Sequence, residues 1–172
     1  LPLMMTQMLE VLFNLSDVAI AGKYADYIAL GAVGSTALLV SLFTGILIGM
    51  GAGVNVRTAH QLGAEKTSGS SETVSKTVYS GLIVCLIIGI ILCLVCNIFA
   101  RPMLETLKTK DELIESAVLY LKIYALGMPA MAVYNFGNGV LSACGETKKP
   151  LVYLSIAGVL NVILNIFFVV VC

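Results

Sequence analysis

Four stretches of this chain carry no charged residue over a length that crosses a bilayer. Tyr27 to Val56 runs 30 residues without Asp, Glu, Lys or Arg, Thr77 to Ala100 runs 24, and Ile123 to Gly145 and Pro150 to Cys172 run 23 each. About 20 apolar residues span the hydrocarbon core as a helix, and in lipid every backbone polar group must be satisfied internally. An all-α, polytopic transmembrane bundle follows. The charged share of the whole chain, 12%, is about half that of a soluble domain.

The first segment is a fifth candidate of a different kind. In "QMLEVLFNLSDVAIAG" (7–22) the polar residues are Gln7, Glu10, Asn14 and Asp17. At about 100° per residue they fall inside a stripe roughly 80° wide on one helix face. Each central carboxylate costs about 2.5–3.5 kcal/mol to insert, so the stripe needs shelter from neighbouring helices or a water-filled cavity. The expected spans are 1–22, 30–56, 75–100, 111–144 and 150–172.

The connections are short. Thr109 and Glu112 stand at capping-box spacing before the fourth span, and Pro150 suits the first turn of the fifth. The second and fourth connections hold Arg57, Lys66, Lys76, Lys148 and Lys149, against Lys23, Arg101, Lys108 and Lys110 in the first and third. Five against four favours a cytoplasmic amino end by the positive-inside rule. The chain begins without Met or a basic n-region and ends inside the apolar run "IFFVVVC", so the expectation is a piece of a longer membrane protein.

Gly45, Gly49 and Gly53 stand four apart, the spacing that lets two membrane helices approach closely. No strand precedes them, so a phosphate loop is excluded. Pro129 falls inside the fourth span, where it removes a backbone hydrogen bond and bends the helix, a candidate hinge.

No catalytic set emerges, and an enzyme is not expected. His60 is the only histidine, and Cys85, Cys93, Cys96, Cys144 and Cys172 read as free thiols in or beside apolar runs. With a net charge of zero and no basic stripe, no nucleic-acid partner is expected. What remains is polarity inside the spans, which tends to mark ion paths. Asn161 and Asn165 are one turn apart on one face. Their amide oxygens suit a hard cation such as Na⁺ if a carboxylate joins them, and Asp17 is the natural carboxylate. The same amides, with Asn14, Asn135 and Asn138, also suit interhelical hydrogen bonds.

The run "NLSDVAIAGKYADYIALGAVG", the later "QLGAEK", the pattern "AVLYLKIYALGMP" and above all "GVLSACGETKKP" resemble the multidrug and toxic compound extrusion (MATE) transporters. The last matches that family's turn at Gly145, Glu146, Thr147, Lys148 and Pro150, with Glu146 where Asp is commoner. The resemblance implies twelve helices in two six-helix lobes around a central cavity. This chain would supply about five helices of the amino-terminal lobe, with the rest, including the carboxy-terminal lobe, its missing partner. It also implies a multi-pass protein of the cell membrane that exchanges Na⁺ or H⁺ for cationic or amphipathic drug-like compounds, with no cofactor beyond the coupling ion. The family's first-helix aspartate matches Asp17 and its fifth-helix asparagine matches Asn161. Some members carry a second carboxylate where this chain has Asn165, a departure for which Glu10 is a possible substitute.

Two other readings remain open. A lipid-linked oligosaccharide flippase of the same superfamily would be expected to line its cavity with Arg or Lys, which these spans almost lack. A membrane scaffold without transport accounts for the glycines and asparagines, but not for two acids on one face.

Overall fold

The computed structural model describes residues 2–24, 26–68 and 72–168. They form six helices: α1 (Pro2–Tyr24), α2 (Tyr27–Ser68), α3 (Glu72–Thr106), α4 (Asp111–Leu126), α5 (Met128–Ala143) and α6 (Lys148–Ile166). There is no strand among the described residues. α2, α3 and α6 are each long and apolar enough to cross a membrane, and α4 and α5 pass that test together as one span bent by 44°. α1, with 23 residues, has the length for a fifth crossing, about 34 Å.

α2 to α5 make the core. Ala32, Leu39, Phe43 and Leu47, spaced seven, four and four residues apart along one side of α2, pack against Cys96, Ala100 and Leu104 of α3, Ala117, Leu121 and Ala125 of α4, and Met128 and Ala132 of α5. Many of these are alanines, because helices in lipid gain little from burying bulk and associate through close backbone approach. The closest approach is between α2 and α5. A β-carbon on Gly139 would run into the backbone carbonyl of Gly51, and one on Gly51 would sit 2.7 Å from the Asn135 carbonyl. Outward, α3 presents Ile83, Val84, Ile87, Ile90 and Ile91, an apolar surface suited to lipid.

These contacts correct the expectation for Gly45, Gly49 and Gly53. Among the described residues, a β-carbon at any of the three would meet no atom within 4 Å, so the four-residue stripe mediates no packing between them. Gly51, at a buried position on α2, does.

The bend between α4 and α5 sits at Gly127, two residues before Pro129, which occupies the first turn of α5. Proline has no N–H to donate and its ring clashes with the carbonyl four residues back. The backbone responds with a tight turn: the Gly127 N–H reaches the Tyr124 carbonyl at 3.0 Å. The proposed capping box is a second correction. α4 starts after Lys110, and that cap position makes no side-chain hydrogen bond. The Thr109 N–H instead donates back to the Leu104 carbonyl at 3.1 Å, completing the turn that ends α3.

The "CGETKKP" turn closes α5 with a Schellman motif. Gly145 takes a φ of +81°, its N–H donates to the Ser142 carbonyl at 3.0 Å, and the Glu146 N–H donates to the Leu141 carbonyl at 2.9 Å. Glycine is the residue that enters this conformation without a steric penalty. Pro150 then sits buried in the first turn of α6.

Candidate functional site

α1 packs mainly against α6, makes few contacts with α2, and α6 barely touches α5. The α1–α6 pair therefore meets the core across a gap rather than a seam. That gap is a cavity of about 990 Å³, at the upper end of the range for small-molecule sites. The seam of the α1–α6 pair lies on its wall: the Phe13 ring stacks directly over Gly158, where any β-carbon would overlap it.

Apolar residues line most of the cavity, with a few polar groups among them. Tyr120, Tyr124 and Tyr134 contribute from α4 and α5, Ser41 and Thr44 from α2, Asn135 from α5 and Asn161 from α6. The Tyr120 and Tyr124 rings stack with centroids 6.4 Å apart. The Tyr124 hydroxyl lies 2.9 Å from Thr44 Oγ1 and 3.7 Å from Met131 Sδ, which ties the bent span to α2. The Asn135 amide donates to the Met131 carbonyl at 2.9 Å, bracing the start of α5. No described lining residue is charged. Tyr124→Phe removes the link to Thr44 while keeping the ring; a loss of about 1 kcal/mol is expected, read as a lower thermal midpoint in detergent.

Among the residues singled out from sequence, Asn161 lines the cavity and Asn165 lies one turn further along α6. The Asn165 amide donates to Asn161 Oδ1 at 3.4 Å, so the two side chains act as a pair. Gln7, Glu10, Asn14 and Asp17 fall on α1, and their side chains lie outside the described residues. Their neighbours Phe13 and Val18 reach the cavity wall. Gly45 also lines it, while Gly53 lines a separate groove and Gly49 neither. His60 is exposed, and no group of metal-ligating side chains occurs among the described residues.

Sequence reasoning missed the tyrosines. Their one available signal was the i, i+4 spacing of Tyr120 and Tyr124, which also fits a lipid-facing aromatic pair.

Comparison with known proteins places this architecture. The MatE family model matches residues 2–167. The chain is 28% identical over 171 residues to the probable multidrug resistance protein YpnP of Bacillus subtilis, covering 98% of this chain and 37% of that protein. It is 24% identical over 153 residues to an FAD transporter of Shewanella oneidensis, covering 89% of this chain and 33% of that one. The crystal structure of MATE in complex with MaD3S superposes with a TM-score of 0.85 at 23% identity, over 97% of this chain and 36% of that chain. This chain thus spans about a third of the length of the relatives it matches. With long apolar helices and a family match over nearly all of its residues, it is a membrane protein that belongs to the MatE family.

Proposed function

We propose that this chain is part of a secondary multidrug exporter that moves cationic or amphipathic compounds out of the cell in exchange for Na⁺ or H⁺. The observation that carries the reading is the cavity whose described lining is tyrosines and apolar side chains without a charge, with the Asn161–Asn165 pair at its edge. Aromatic faces attract organic cations, and a mostly apolar wall suits their hydrophobic bodies.

The coupling site is assigned to Asp17, Asn161 and Asn165, with Glu10 as a second acid. Five crossings make α1 and α6 run in the same direction. Starting from the Phe13–Gly158 contact, Asp17 lies four residues up α1 and Asn161 three residues up α6, or about 6 Å and about 4.5 Å. The two positions therefore sit at similar depth. A proton or Na⁺ bound there neutralises the carboxylate and favours the conformation in which the site is driest. That difference in ion affinity between two states is what coupling requires. The remaining two thirds of the protein supply the second lobe needed for alternating access, and the amino end is assigned to the cytoplasm.

The FAD transporter among the relatives raises an anionic dinucleotide as a second substrate class, as the flippase reading raises a pyrophosphate. Such substrates call for Arg or Lys on the wall, and the described lining has neither.

The test uses the full-length protein in everted vesicles, with Na⁺ and pH gradients imposed in turn and efflux of a fluorescent cation and of FAD followed. Cation efflux under one gradient, with apparent ion affinity reduced about tenfold or more in Asn161→Ala, is the expected result. FAD efflux without cation efflux, or cation efflux indifferent to both gradients, overturns the reading.

A further inference from the structure

A second cavity, about 550 Å³, lies between α2 and α3, apart from the one described above. Only three residues separate these helices in the chain, so as consecutive spans they run antiparallel and their lining residues pair by level. At the loop end the groove is lined by Arg57, Thr58 and Gln61 of α2 and by Lys76, Thr77 and Ser80 of α3. Further from the loop it is lined by Met50 and Val54 opposite Val84 and Cys85. Arg57 and Lys76 are also the first charges beyond the uncharged runs of their helices, which sets them at the level of the membrane–water boundary.

The groove is therefore graded along its length, with cationic and hydroxyl groups at the interface and apolar walls at hydrocarbon depth. Thr58 adds an independent observation. It is 1% exposed, and its hydroxyl has no hydrogen-bond partner among the described residues, although buried hydroxyls are ordinarily paired. A ligand oxygen in the groove would satisfy it.

We propose that this groove binds an anionic phospholipid. The phosphate lies between Arg57 and Lys76, the glycerol ester region lies by Thr58, and an acyl chain runs along Val54 and Val84. A free phosphate would use only the upper half of the groove, whereas a lipid matches both halves. Basic groups near an anionic interface attract such headgroups.

The test is native mass spectrometry of the full-length protein in mild detergent with equal amounts of phosphatidylglycerol and phosphatidylcholine. Preferential retention of phosphatidylglycerol is expected, falling about fivefold for each basic residue removed in Arg57→Gln and Lys76→Gln. Both side chains belong to exposed residues, so these variants are expected to stay monodisperse on gel filtration. Thr58→Val, which keeps the shape and removes the hydroxyl, should lower retention further without altering the elution volume. Equal retention of the two lipids, or unchanged retention in the double variant, overturns the proposal. Displacement of the lipid by millimolar inorganic phosphate overturns it in favour of a free anion.

Discussion

Gly139→Leu is expected to unseat α5 from α2 and lower the stability of the full-length protein by about 3 kcal/mol or more. Overpacking typically costs about 1–3 kcal/mol where side chains can move aside. Here the obstacle is the backbone carbonyl of Gly51, with the Asn55 N–H also close at 3.3 Å, and neither can rotate away. The two helices must separate, which also disturbs the Asn135 and Met131 side of the cavity. Gly49→Leu is the matched control: the same change on the same helix pair, at a position where an added β-carbon would meet none of the described neighbouring atoms within 4 Å. It should shift stability by no more than about 0.5 kcal/mol. Thermal unfolding of both variants in detergent separates them, and equal destabilisation would refute the Gly51–Gly139 crossing as the anchor of the bundle.

The second large effect is functional. Asp17→Asn is expected to reduce gradient-driven cation efflux to the background of vesicles without the transporter. Asparagine keeps the size and one amide oxygen but loses the charge that a proton or Na⁺ neutralises. Membrane insertion should be undisturbed or easier, since a central carboxylate is among the costliest residues to insert. The diagnostic pattern is thus normal expression and thermal midpoint with no coupling to either gradient. Glu10→Gln, one heptad earlier, should leave part of the coupled efflux. Normal efflux by Asp17→Asn would move coupling elsewhere and leave the polar stripe of α1 as a packing feature.

What could be read from the residues alone follows from which physics is local. The helical membrane class was legible because crossing a bilayer is a matter of composition and length. Gly145 was legible as a turn because a positive φ selects glycine whatever surrounds it. The packing glycines were not. Gly45, Gly49 and Gly53 have the right spacing, yet the rotation of α2 about its axis decides which face meets α5, and it chose Gly51. The cap of α4 went unseen for a related reason, since the preceding turn claims the Thr109 N–H first. Asn161 drew attention because an amide in an uncharged run is costly and therefore conspicuous. Tyr124 did not, because a tyrosine suits a lipid interface as well as a cavity, and it takes the structure, with Tyr124 on the cavity wall and 2.9 Å from Thr44, to separate the two.

The pairing of the first helix with the last has a consequence for how the protein is made. Phe13 and Gly158 touch although about 145 residues lie between them, and ribosomes add about 5–20 residues per second. α1, with Glu10 and Asp17 on it, therefore precedes its partner by on the order of ten seconds. A segment in that position is a natural client for the insertion machinery, which would have to hold it until α6 arrives. Stalling synthesis just before residue 148 should leave the first helix open to extraction or degradation, while the four helices between already hold together.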